Sequence, residues 1–164
     1  MTQVAIFIGS ISDEAVMRPC SDVLKELGIP HVFTVTSAHS TPERTETLIT
    51  QLENDGCQVF ICAAGMAAHL AGAVAARTTK PVLGVPINAS PLHGMDALLA
   101  TVQMPPGYPV GTLAIDKAGA RNAAWLAAQI LALSDKTLEG KIIQARKGFV
   151  VAVEQAAQDL EAKN

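Results

Sequence analysis

The chain is 164 residues long, carries a formal net charge of −3, and is 49% apolar but only 4% aromatic. The acidic balance leaves no basic footprint for nucleic acid, and no apolar run reaches the roughly 20 residues of a membrane span. A core with so few aromatics must rest on Ala, Val, Leu and Ile, which suits helices packed closely on a sheet, and the length suits a single α/β domain over residues 1–164.

The opening segment MTQVAIFIGS has no basic residue ahead of its short apolar run, so it reads as a first strand and not as a signal peptide. QVAIFIG (3–9) is continuously apolar, as expected of a strand covered on both faces. Residues 12–28 read as a helix with Ser12 as N-cap, Asp13 and Glu14 at the positive end of the dipole, Gly28 at the stop, and Pro19 bending its interior. A second strand follows over 31–36. A second helix follows over 41–56, with Thr41 as cap, Pro42 in first position and Gly56 at the stop.

CQVFICAAG (57–65) is a third strand, 66–79 a helix of small residues, and PVLGVPI (81–87) a fourth strand. Residues 91–103 are helical in part, and the proline-rich 104–115 leads into a short fifth strand. Residues 117–133 are strongly helical, and from about 134 one long capped helix or two form a C-terminal helical extension. This alternation predicts a three-layer, doubly wound parallel sheet of about five strands, of the flavodoxin or Rossmann kind. There is no internal repeat, low-complexity linker or second domain. Cys20, Cys57 and Cys62 are odd in number and form no C-x-x-C, so neither a disulfide framework nor a zinc site is expected, and a reducing cytoplasm is.

In such sheets ligands bind beyond the carboxyl ends of the strands. In GSISD (9–13), Gly9 permits close backbone approach, Ser10 and Ser12 offer hydroxyls, and the amides opening the next helix favour a phosphate, leaving Asp13 for ribose hydroxyls. The plainer alternative is a helix cap with no ligand. There is no G-x-G-x-x-G and no Walker lysine. In SAHSTP (37–42), His39 either idles in a polar turn or moves a proton near neutral pH. In AAGMAAHLAGAVAA (63–76), small residues let a helix start sit tight against a ligand or another chain. His69 falls about one turn into that helix, where capping or packing is the plainer role. His31, His39, His69 and His93 lie on separate elements without an i, i+4 pair, so no metal is expected.

GSISD, SAHSTPER, AAGMAAHLAG, PVLGVPI and QMPPGYPVGTLAIDKAGARNAAWLAAQIL occur in order, and with this spacing the chain to about residue 133 resembles the mutases and carboxylases that act on aminoimidazole ribonucleotides in purine biosynthesis. The resemblance implies an isomerase that moves a carboxylate from the exocyclic nitrogen of N5-carboxyaminoimidazole ribonucleotide to ring carbon C4. It implies no cofactor and a cytoplasmic homo-octamer acting on a small-molecule nucleotide. His39 matches the catalytic histidine. Gly9, Ser10, Ser12 and Asp13 match the phosphate- and ribose-holding loop. Ser37, Ala38, Ala64, Gly65, Ala67 and Leu70 match residues lining the site, and His69 a second histidine near the substrate.

Two positions depart from the family pattern. Where the mutase branch has Arg after the histidine and the carboxylase branch Lys, this chain has Ser40, so a cation is replaced by a neutral hydroxyl. A dianionic substrate still calls for a cation, which the sequence offers as Arg44, Arg77 or a basic group of another subunit. Met66 stands where Gly is common.

A single histidine suffices for the implied chemistry, donating a proton to the carbamate nitrogen and taking one back from C4. The hydroxyls around His39 would orient the substrate. A carboxylase using CO2 directly needs only the second half of that scheme, and a nucleotide-binding module without turnover fits the same sheet.

Overall fold

The structure, a computed structural model, describes residues 1–163. The apolar run after Gln3 forms β1 (Val4–Ile8), buried throughout. A single 3-10 turn (Ile11–Asp13) separates it from α1 (Glu14–Leu27). This turn moves the cap from Ser12 to Ser10, whose hydroxyl accepts the Ser12 N–H at 3.3 Å. The Ser12 hydroxyl donates back to Ser10 Oγ at 2.9 Å. Pro19 lies inside α1, and Gly28 ends the helix in the left-handed region at φ 73°.

β2 (His31–Val35) leads to α2 (Pro42–Asn54), which has Pro42 in first position. Thr41 precedes α2 without capping it, because its Oγ1 accepts the Ser37 N–H at 2.9 Å and so closes the loop before the helix. β3 (Val59–Gly65) is followed by α3, which covers only Leu70–Ala75 and not 66–79. Met66, at φ 56°, holds a left-handed conformation that a right-handed helix cannot include. β4 (Val82–Ile87), α4 (Met95–Val102), β5 (Gly111–Thr112) and α5 (Asp116–Ala132) complete the alternation. Residues 136–161 form one helix, α6 (Lys136–Glu161). The Asp135 carboxylate caps it, accepting the Thr137 and Leu138 N–H groups at 2.9 and 3.0 Å.

All strand pairs are parallel, and the sheet order is β2-β1-β3-β4-β5. Successive side chains of β1 alternate between faces. Ala5 and Phe7 join Phe60 and Cys62 of β3 beneath Ile49 and Leu52 of α2 and Leu70 and Val74 of α3. Val4, Ile6 and Ile8 face the other way and are equally buried, and α1, with Met17, Cys20 and Leu24 fully buried, covers that side. Gly84 in β4 lets α4 sit on bare backbone, since a Cβ there would lie 2.3 Å from Thr101 Cγ2. The three cysteines are free core residues; burial pushes the Cys20 thiol up to about 12 and Cys57 up to about 11, so neither is poised as a nucleophile.

The chain divides into two compact units, Met1–Ala127 and Ala128–Asn164. The first holds the whole sheet. The second holds the end of α5 and all of α6, with Leu138 and Ile142 buried. Among the described residues no helix is long and apolar enough to cross a membrane.

Candidate active site

With the order β2-β1-β3-β4-β5, the connections leave β1 and β3 toward opposite sides, and a crevice opens where their carboxyl ends diverge. A cavity of about 390 Å³ occupies that crevice. The volume falls within the range of roughly 300–1,000 Å³ typical of small-molecule sites.

Four loops build it. The turn after β1 brings Gly9, Ser10, Ser12 and Asp13. The loop after β2 brings Ser37, Ala38 and His39, and the end of β3 with the segment after it brings Ala64, Gly65, Met66, Ala67, His69 and Leu70. Ala89, beyond β4, completes the lining. Gly65 has a packing reason to be glycine, because a Cβ there would lie 2.6 Å from Ala89 Cβ. Every sequence-nominated residue but one lines the cavity. The exception is Ser40, which is exposed and lies outside the lining, its backbone N–H donating to Ser37 Oγ at 3.1 Å.

Several hydroxyls around His39 bond within their own loop. Ser37 Oγ accepts the N–H groups of His39 at 3.3 Å and Ser40 at 3.1 Å. Thr41 Oγ1 holds the Ser37 N–H, and Thr36 Oγ1 lies 2.7 Å from Thr45 Oγ1. These bonds fix the backbone on either side of His39 and point its ring at the segment after β3. There His39 Nε2 lies 2.8 Å from His69 Nδ1, with ring centroids 4.9 Å apart and planes at 71°. One ring must donate and the other accept, so the pair shares one proton along this contact. His69 occupies the N-cap position of α3, not a place one turn inside a helix. His31 is apart from the site, with Nε2 2.8 Å from Ser21 Oγ and Nδ1 2.9 Å from the Ile29 carbonyl.

Asp13 is 6% exposed, and burial pushes its carboxyl above the ordinary value of 3.8, with hydrogen bonds from the Ser10 backbone and the Ser12 hydroxyl opposing the shift. A carboxyl whose folded value is raised favours the folded state fully only below its unfolded value, and that advantage is lost as pH rises through the folded value. Asp13→Asn is therefore expected to melt higher than the parent at pH 7. The gap should close as pH falls toward 3.8, which thermal scans across pH would show. A gap that widens in acid would contradict this.

No Lys or Arg is among the residues lining the cavity. Arg44 is engaged on β2, its Nε donating to the Val35 carbonyl at 3.2 Å and its Nη2 to Thr34 Oγ1 at 3.3 Å. Arg77 lies 3.7 Å from Glu46 and donates to the Ala73 carbonyl at 3.1 Å. Neither arginine takes the place of the missing cation beside Ser40.

The family model described as AIR carboxylase matches residues 3–150, which include every residue lining the cavity. The chain belongs to the AIR carboxylase family. Proteins named N5-carboxyaminoimidazole ribonucleotide mutase match it from distant organisms. The one from Escherichia coli K12 is 51% identical over 145 residues, 88% of this chain and 86% of that protein. The one from Bacillus subtilis is 45% identical over 157 residues, covering 96% and 97%. The one from Pyrococcus horikoshii is 44% identical over 158 residues, covering 96% and 88%. The crystal structure of Treponema denticola PurE superposes with a TM-score of 0.88 at 25% identity, covering 98% of this chain and 99% of that one.

Within this AIR carboxylase fold, sequence reasoning did not place the contact between His39 and His69, nor Met66 and Ala89 in the lining. Thirty residues separate the two histidines, and no local periodicity reports such a contact. The left-handed backbone at Met66 does account for the glycine expected there.

Proposed function

We propose that the chain is an N5-carboxyaminoimidazole ribonucleotide mutase, converting N5-carboxyaminoimidazole ribonucleotide to 4-carboxyaminoimidazole ribonucleotide in purine biosynthesis. The observation that carries this reading is that His39 lines a cavity whose wall combines polar and apolar parts brought by different loops. Ser10, Ser12 and Asp13 supply polar groups, and Ala64, Gly65, Ala67 and Leu70 supply apolar ones. The polar part suits the ribose phosphate, with the Ser10–Ser12 turn leading into α1 and its N-terminal amides. The apolar part suits CO2.

The chemistry follows from that combination. Protonation of the exocyclic nitrogen by His39 breaks the carbamate N–C bond and frees CO2, leaving the bonding pair on nitrogen. The aminoimidazole is then nucleophilic at C4, which attacks the CO2 carbon. His39 removes the C4 proton and returns to its starting state. Holding both fragments in one small cavity replaces an encounter in solution by an effectively unimolecular step. His69, 2.8 Å from His39, sets the orientation of the ring that carries the proton.

Direct use of CO2 is the second reading, favoured by the description of the matching family as AIR carboxylase. Two parallel assays separate them, one with N5-carboxyaminoimidazole ribonucleotide and one with aminoimidazole ribonucleotide plus bicarbonate. The proposal expects fast conversion of the first at substrate concentrations where the second is slow. Binding of either nucleotide without turnover would point to a non-catalytic binding module.

The working form is proposed to be a homo-octamer. The apolar stretch 117–133 is weaker support for this than its composition suggests, because Ala120, Ala123, Ala124 and Ala127 are already fully buried. Better support comes from α4, which exposes Met95, Leu99 and Val102 at i, i+4 and i+7, and from Val150, Val151 and Val153 on α6. Light scattering at micromolar concentration is expected to give a mass several times that of one chain; a mass of 17.1 kDa would contradict the assembly.

A further inference from the structure

We propose that Met66 retains the transferred CO2, closing the mouth of the cavity over the bound aminoimidazole so that the gas is captured at C4 before it escapes. The inference rests on the mutase reading above and concerns a residue to which that mechanism gives no role.

Three observations meet at this side chain. Met66 lines the cavity. Its backbone sits at φ 56°, a conformation that costs an L-residue stability and that is enriched at functional sites. Its side chain is not packed into the core, since Met66 is 59% exposed, whereas Leu70, the other large apolar side chain of the wall, is 2% exposed. The remaining apolar lining is Ala and Gly, too short to reach across an opening. An unbranched thioether with three rotatable bonds can stand aside while the nucleotide enters and then lie against the imidazole ring, where sulfur–aromatic contact is favourable. The left-handed backbone orients that side chain differently from a helical residue at the same place. Strain here thus places a flexible apolar arm on the rim of a pocket that must briefly hold a small apolar gas.

The atoms balance without any further reactant. The N–C bond of the carbamate breaks as the nitrogen gains a proton, and the C4–C bond forms as C4 loses one. CO2 lost between these events leaves aminoimidazole ribonucleotide as a side product.

The test is product partition in the full-length protein. Wild type, Met66→Gly and Met66→Leu are given N5-carboxyaminoimidazole ribonucleotide, and the enzyme-free decarboxylation is subtracted. The ratio of aminoimidazole ribonucleotide to 4-carboxyaminoimidazole ribonucleotide is then read, together with incorporation of labelled bicarbonate into product. Met66→Gly should raise both the leak and the label incorporation by about 2- to 10-fold, the range expected for losing a thioether–ring contact. Because glycine relieves the left-handed strain, its melting temperature should not fall. Met66→Leu, which keeps an apolar arm but loses the sulfur contact, should leak less than Met66→Gly. Wild-type partition in an active Met66→Gly protein would overturn the inference while leaving the mutase reading intact, as would a Met66→Leu protein that leaks as much as Met66→Gly. A wild type that does not convert the substrate would overturn both.

Discussion

His39→Asn is expected to fold normally and to lose at least about 100-fold in turnover, the low end for removal of a general acid–base. The folding half of this expectation comes from exposure. His39 is exposed, and its ring contact is with the equally exposed His69, so removing it leaves neither a cavity nor a buried unpaired group. The loop itself is braced by Ser37 and Thr41, which the substitution leaves in place. The catalytic half comes from chemistry. An amide can donate and accept hydrogen bonds but cannot gain and release a proton near neutral pH, and both halves of the proposed transfer need that. Circular dichroism and the melting temperature would confirm a native fold, and a steady-state assay would then give turnover. Near wild-type turnover in a folded His39→Asn protein would sink the assignment of the proton shuttle.

The fold was legible because its determinants are local. The unbroken apolar run of β1 announces a strand covered on both faces, and alternation with capped helices then permits little besides a parallel sheet. Gly28 and Pro42 mark a helix end and a helix start by backbone geometry alone. The site loops follow in turn from the rule that ligands gather at strand carboxyl ends, which is why one cavity collects Ser10, Asp13, His39 and Gly65. The segment after β3 was less legible. Its alanines have high helix propensity and read as one long helix, yet Met66 turns left-handed and α3 begins only at Leu70. Propensity is a weak guide where tertiary structure sets the backbone. The hydroxyls beside His39 were visible, but whether they face a substrate or their own loop depends on hydrogen bonds across several residues, and composition carries no trace of those. The pairing of His39 with His69 depends on the register of two loops brought together by the sheet, which neither loop encodes alone.

Ser40→Arg is expected to tighten substrate binding by about 10- to 150-fold, which corresponds to the roughly 1.5–3 kcal/mol of a charge-assisted hydrogen bond. The sequence alone favoured compensation by a cation elsewhere, in which case an added arginine would only crowd the site. The structure removes the two candidates within the chain, because Arg44 is engaged on β2 and Arg77 lies beside Glu46. Asp13 adds acidic character to the cavity, so a phosphate there meets hydroxyls and amides but no full positive charge from the residues that line it. Ser40 follows His39 directly in the chain and is exposed, so a longer side chain at this position has room to swing toward the cavity. Guanidinium would offer phosphate or carboxylate two parallel donors. The Michaelis constant of Ser40→Arg should fall tenfold or more against wild type at low salt, and the advantage should shrink as ionic strength rises. A constant that stays level or rises at both salt concentrations would mean that a cation from a neighbouring copy already fills the place, supplying a residue the isolated chain lacks.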